Sequence, residues 1–304
     1  MGIQDLKDRK KAMSLGSFMG DAFALGAHWT YDLSKIEDNF GTYDQPHAPL
    51  PGSLHINKKL GDYTHYGDQA LLINDYLRQN RGQYATDGFR SAWQKMMADY
   101  QGYVDSASRQ SLLSFNLGDS FGSHSDELGG AARLAPVFFW IDDPDTAMAA
   151  ALDQSRLTHN SPESIMATEL FARIILSNLA GRDGSLTEQI LQAAGKMGRD
   201  DRNMDAFDRY LSQSSSMIGH SAAEIASGLG QSCHARHAIP VILTILMTTD
   251  DYRQAMQLNA QIGGDSAARG MIAGAILGAR SGLSAIPTEW LAIIRRKPDL
   301  TDLV

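Results

Sequence analysis

The sequence predicts a mostly α-helical globular protein. Three observations carry the prediction. Apolar residues recur at helical spacing along most of the chain, clear strand alternation is absent, and several apolar stretches open on Ser, Asp or Pro in the manner of helix starts. Composition agrees: 43% hydrophobic and 20% charged residues are ordinary values for a folded chain rather than a disordered one. No composition shift divides the 304 residues, so a single domain, 1–304, is expected.

The first helix is expected over residues 5–27, ending in the small-residue run MSLGSFMGDAFALGA. Gly16, Gly20 and Gly26 permit close helix contacts there, at a cost in helix propensity. Residues 38–67 read as a long irregular segment containing QPHAPLPG and the polar run HINKKLGDYTHYGD. A loop of that length in a compact domain is more often functional than filler. Helical patterns resume at 68–80 and 87–102, and a second polar stretch, FNLGDSFGSHSDELGG, follows. AARLAPVFFW reads as one buried helix, kinked or started by Pro136.

Asp143 and Pro144 open a helix to about Arg156. Ser161, Pro162 and Glu163 open another to about Leu179, with Ser as cap and Pro at the first helical position. A helix is expected at 184–196, then a polar, poorly periodic stretch at 197–219, then helices near 221–229, 233–248 and 251–260. The last strong helix runs from Ser266 to Arg280. Its Gly270, Gly274 and Gly278 repeat the spacing of Gly16 and Gly20, which reads as a packing device. A short amphipathic tail begins at 287.

Charge and cysteine usage narrow the function classes. The formal charge is -8, from 35 acidic and 27 basic residues, and no basic cluster exceeds RKK or RRK, so no nucleic-acid partner is expected. No apolar run is long enough for a membrane span, and the charged N-terminus lacks a signal peptide's apolar core. One cysteine, Cys233, excludes an internal disulfide and a Cys-rich zinc site, and the cytoplasm is the expected compartment.

Four Gly–Asp pairs stand out, ending at Asp21, Asp68, Asp119 and Asp265. Asp265 follows two glycines and precedes a small-residue helix. A carboxylate there can cap the helix or face a cleft as a metal ligand. Asp68 has the same setting, and two such carboxylates can share one Mg²⁺, which prefers oxygen ligands completed by water. The plain reading of each pair is a cap, and Asp119 reads as turn chemistry. The histidines form no metal signature. His28, beside Trp29, and His65, three residues before Asp68, are candidates for pocket lining or proton transfer, against the plain reading of satisfied structural histidines. His234 and His237 lack accompanying carboxylates. Cys233 and His234 point apart if helical, GHSAAE lacks the GxSxG elbow, and no glycine run follows a strand. Trp29, Tyr31, Tyr43, Tyr63 and Tyr66 concentrate near the first two loops, where their rings could stack on a base or ribose or seal the core.

MGDAFALGA at 19–27, YGDQALL at 66–72, GGAARLAPV at 129–137, the helix after His159 and IGGDSAARGMIAGAILGA at 262–279 together resemble the ADP-ribosylglycohydrolases, which include dinitrogenase-reductase-activating glycohydrolases and J1-type crystallins. The pieces fall in the family's order and span nearly the whole chain, the last being the most specific. The resemblance implies an all-α orthogonal multi-helix bundle with a cleft at helix N-termini. It also implies two Mg²⁺ or Mn²⁺ ions and hydrolysis of the bond joining ADP-ribose to a protein side chain or related adduct.

The departures are equally specific. Where the family carries Thr-Asp-Asp-Thr, this chain has Tyr66, Gly67, Asp68 and Gln69. Where the family carries Gly-Asp-Thr-Asp-Thr, it has Gly264, Asp265, Ser266, Ala267 and Ala268. A family glutamate near the N-terminus falls on His28. The resemblance therefore implies Asp68 and Asp265 as the remaining metal ligands or water-orienting carboxylates, with His28 and His65 as proton-transfer groups. Asp21, Tyr66, Gly67, Gln69, Gly264 and Ser266 become ligand-binding positions. Mg²⁺ or Mn²⁺ is expected at a reduced site or not at all. The expected function is hydrolysis of an N- or O-glycosidic bond in ADP-ribose or a related ribosyl compound, acting on a small molecule or an ADP-ribosylated substrate. The alternative is a non-catalytic, ligand-binding or crystallin-like member. The oligomeric state is left open.

Overall fold

The computed structural model describes residues 3–181, 183–197 and 201–301. In chain order its helices are α1 Ile3–Ala24, α2 Leu33–Phe40, α3 His65–Gln79, α4 Thr86–Ala98, α5 Ser106–Asn116, α6 Gly129–Ala132, α7 Ala135–Trp140 and α8 Pro144–Arg156. They continue as α9 Pro162–Leu179, α10 Leu186–Gly195, α11 Asp201–Ser216, α12 Ala222–Leu229, α13 Ala235–Thr248, α14 Tyr252–Ile262, α15 Ser266–Ser281 and α16 Thr288–Ile293. No strand occurs among the described residues, and a lone bridge pairs Glu127 with His234. The all-α expectation holds.

The core is organised on α15, whose residues 266–279 are all buried. A helix apolar on every side belongs at the centre of a protein, and this one packs antiparallel against α1. The glycine spacing sets the approach. A Cβ on Gly16 would stand 2.4 Å from the Gly274 carbonyl oxygen, one on Gly20 2.1 Å from that of Gly270, and one on Gly278 2.2 Å from that of Ala12. Three contacts, four residues apart and running in opposite directions, zip the two helices together. The zip brings the C-terminal end of α1 to the N-terminal end of α15.

Several boundaries differ from the sequence reading. The segment 38–67 is shortened at both ends, because α2 extends to Phe40 and α3 begins at His65 behind a Thr64 cap. Gly20 and Asp21 lie inside α1, so Asp21 is not a helix cap. Helix α5 was missed because its inner face is Ala107, Ser108 and Ser111, small and polar residues with no apolar period. Helix α11 lies in the stretch taken as irregular. Its buried Phe207, Tyr210 and Ser214 do keep helical spacing, diluted by polar neighbours. The single helix expected at AARLAPVFFW is two, α6 and α7, with Pro136 in the first turn of the second. Proline's missing N–H is harmless there.

Candidate active site at the junction of the first and last long helices

Beyond Ala24 the chain turns through residues 25–32 and lies against the loop that precedes α15. Trp29 N–H donates to the Gly264 carbonyl at 2.7 Å, and Gly264 N–H donates back to the Thr30 carbonyl at 2.8 Å. Trp29 adopts φ +58, a left-handed conformation that a bulky residue rarely accepts. Gly263 and Gly264 also have positive φ, and a Cβ on Gly264 would stand 2.1 Å from the Gln231 carbonyl oxygen, so glycine is required. Buried Arg269 laces this loop by donating to the Gly263 carbonyl and to Asn259 Oδ1.

Asp265 holds the N-cap position of α15 but makes no capping hydrogen bond. Its carboxylate is wholly buried, and neither oxygen meets a donor in hydrogen-bonding geometry. Burial pushes its carboxyl up to about 6, while the Arg269 guanidinium and a weak pull from the Ala268 N–H act the other way. His28 stands beside it, with Nδ1 3.6 Å from Asp265 Oδ1 and 3.3 Å from the Ala267 N–H. Burial drives the His28 imidazole to its neutral form.

His28 does not stand alone. One ring nitrogen from each of His28, His55 and His65 lies within 4.8 Å of the others, and all three side chains are buried. His55 comes from the irregular segment, and its Nε2 is 3.3 Å from His65 Nδ1. Burial lowers His55 to about 3. On its other edge His65 meets Asp105, with Nε2 3.0 Å from Oδ2. Burial alone would raise the Asp105 carboxyl, but the hydrogen bond and charge of His65 outweigh it and hold the group well below the usual carboxylate range. Aromatic rings wall the trio: Trp29 stacks on His28, Tyr66 packs at a tilt against His65, and Tyr103 meets Trp29 edge-on.

A cleft of about 660 Å³ opens beside these residues, with His28, Trp29, Tyr31, Tyr103, Glu127 and Cys233 in its wall. Residues 50–54 of the irregular segment form part of the rim. Cys233 donates to Glu127 Oε1 at 3.1 Å, and burial pushes its thiol pKa up, which disfavours the reactive thiolate.

Asp68 faces a different cavity, of about 550 Å³, and its Oδ2 accepts from the Lys58 ammonium and from Tyr100 Oη. No contact brings Asp68 and Asp265 together, so their expected sharing of one cation finds no support. Asp21, also expected at the ligand, accepts from Thr64 N–H at 2.9 Å and Thr64 Oγ1 at 2.6 Å and thereby fixes the cap of α3. Gly67 makes room for that contact, since a Cβ there would stand 2.2 Å from Asp21 Oδ2. Gln69 is a buried bridge whose Oε1 accepts from Trp93 Nε1 and from the buried Arg133. Tyr66 and Ser266 are buried; Tyr66 packs on His28 and His65, and Ser266 reaches back to the Ala24 carbonyl at 3.5 Å. His55, Asp105, Tyr103 and Glu127 escaped the sequence reading. For His55 the signal was the polar run it shares with His65, ten residues apart, too wide for a metal motif on one element.

A binuclear Mg²⁺ or Mn²⁺ centre of the kind the family implies does not fit this donor set. Hard cations need several oxygen ligands. Here Ala267 and Ala268 offer none, Gly67 has no side chain, and Lys58 already supplies the positive charge facing Asp68.

These features define a class: an all-helical bundle, zipped on small residues, that presents a buried carboxylate and histidine cluster at a helix N-terminus. Comparison with known proteins makes it specific. The family model described as ADP-ribosylglycohydrolase matches residues 3–304, and the chain belongs to that family. It is similar to Crystallin J1A of Tripedalia cystophora, 22% identical over 311 residues, covering 96% of this chain and 94% of that protein. Crystallin J1B of the same animal is 23% identical over 313 residues, with the same coverage. Among solved structures, a chain of an "ADP-ribosylglycohydrolase-related protein complex" superposes with a TM-score of 0.68 at 19% identity, covering 96% of this chain and 94% of that one. That likeness concerns the fold.

Proposed function

We propose that this protein hydrolyses a glycosidic bond of ADP-ribose or a related ribosyl compound in the cleft beside α15. The observation that carries the reading is Asp265: a wholly buried carboxylate, at a helix N-terminus, with no hydrogen-bond donor on either oxygen. Such a group destabilises the fold, and sites of that kind are retained for function. Asp265 Oδ1 lies 3.6 Å from the buried ring of His28, a residue of the cleft wall. Glu127, in the cleft wall, is the carboxylate placed to take a proton from attacking water. Trp29, Tyr31 and Tyr103 offer ring faces to a ribose or an adenine. Asp68 has no reacting role in this scheme.

The test is release of ADP-ribose from an ADP-ribosylarginine adduct, run in parallel with Mg²⁺, with Mn²⁺ and with EDTA. Release that disappears in folded Glu127→Gln and falls at least tenfold in Asp265→Asn is expected. No release under any condition removes this substrate class.

A second reading is binding without turnover, favoured by two relatives that bear the name crystallin. Calorimetric titration with ADP-ribose separates the two. Binding without release of product supports the second.

A further inference from the structure

We propose that His28, His55 and His65 form a three-imidazole site for a borderline-soft dication of the Zn²⁺ class, in place of a carboxylate site for hard cations. The donor chemistry points that way. Imidazole nitrogen suits Zn²⁺, Co²⁺ or Ni²⁺, whereas Mg²⁺ and Mn²⁺ favour oxygen. The spacing also fits. Nitrogens bound to one tetrahedral Zn²⁺ at about 2.0–2.1 Å lie about 3.3–3.4 Å apart. His55 Nε2 and His65 Nδ1 are already 3.3 Å apart, and the three nitrogens all lie within 4.8 Å of one another, so closure of no more than about 1.5 Å completes it.

The surroundings supply what such a site needs. A metal-bound histidine donates its other N–H to a carboxylate, which fixes tautomer and ring orientation. Asp105 Oδ2 stands 3.0 Å from His65 Nε2, which leaves Nδ1 as the ligand atom. His28 Nδ1 accepts from the Ala267 N–H at 3.3 Å and lies 3.6 Å from Asp265 Oδ1, beyond hydrogen-bond reach, while its Nε2 has no partner. His28 Nε2 is buried and has no hydrogen-bond partner, and the same holds for His55 Nδ1 and for both Asp265 oxygens. These polar groups are unmet, and each is wholly or nearly shielded from water. Asp105 and Asp265 together carry two negative charges, which balance one dication in a buried setting. His28 belongs to the cleft wall although its ring is shielded from solvent, so a fourth ligand would have to enter from the cleft side.

The proposal does not rest on the hydrolase reading, because the ion is read directly and no substrate enters the assay. The chelator-treated full-length chain is dialysed against Co²⁺ or Zn²⁺, and bound metal is measured by elemental analysis. The visible spectrum of the Co²⁺ form is recorded alongside. The expected result is one ion per chain, an intense tetrahedral Co²⁺ spectrum, displacement by Zn²⁺, and no displacement by excess Mg²⁺. His55→Gln should weaken binding by about 100-fold or more, and Asp105→Asn by roughly 10–100-fold. The exposed His220→Gln should change nothing. No stoichiometric binding by the unaltered chain overturns the proposal. So does a weak, octahedral Co²⁺ spectrum, or binding unaffected by His55→Gln. If His55→Gln fails to fold, the spectrum of the unaltered chain decides.

Discussion

His28 Nδ1 lies 3.6 Å from Asp265 Oδ1, and solvent reaches neither side chain. The two residues are 237 positions apart in sequence and meet because α1 and α15 run antiparallel in glycine contact. A helix cap would have given Asp265 its donors. Its unsatisfied oxygens mark a place where stability has been given up.

Replacing Asp265 by Asn therefore separates cap from site. If the residue serves function, Asp265→Asn holds stability or raises it by about 1–2 kcal/mol at pH 7, since it removes a poorly solvated charge. Ligand turnover or binding is lost at the same time. Thermal melting beside a ligand assay reads both. A loss of more than about 2 kcal/mol would instead return Asp265 to the role of structural cap.

The glycine zip predicts a steep steric penalty. Gly20→Ala puts a methyl group 2.1 Å from a backbone oxygen, and backbone cannot yield as a side chain can. We expect a loss of about 3 kcal/mol in urea unfolding. Gly195→Ala, at the exposed end of α10 with nothing within 4 Å of the new Cβ, should be neutral or gain a few tenths of a kcal/mol.

Asp21 predicts a pH dependence. Burial raises its carboxyl to about 7, against the lowering pull of Thr64. Between about pH 4 and pH 7 the unfolded chain has lost this proton while the folded chain keeps it. Its contribution is thus fully present below about pH 4, falls as pH rises, and levels off above 7. The expected decline from this group is a few kcal/mol. Asp21→Asn, which cannot ionise, should flatten the profile across that window when urea melts are compared at its two ends.

Lys58 and Asp68 predict strong coupling. Both are mostly buried, and Lys58 is the cation that Asp68 faces. Lys58→Met strands the carboxylate and should lower stability by about 1–3 kcal/mol. The double variant with Asp68→Asn should recover most of that loss. Additive losses in the double-mutant cycle would show that the pair contributes nothing jointly.

The sequence by itself determined the helices and their order, wherever apolar period and caps were strong. Thr64 aside, caps such as Asp143, Ser161 and the capping boxes at Ser185 and Ser221 are written in local residues. The glycine ladders marked both helices for close packing, and the structure shows that they pack on each other. The family motifs located Asp68 and Asp265 as well. What local sequence could not carry was which side chains converge. Asp21 and Gln69 stand in a ligand-binding motif yet spend their hydrogen bonds on Thr64, Trp93 and Arg133. His28, His55 and His65 come from three separate segments, and Asp105 caps α5 while also meeting His65. Only the tertiary structure decided that they share one buried volume. Caps and periods are short-range properties of the chain, whereas convergence depends on helix packing between residues far apart in sequence.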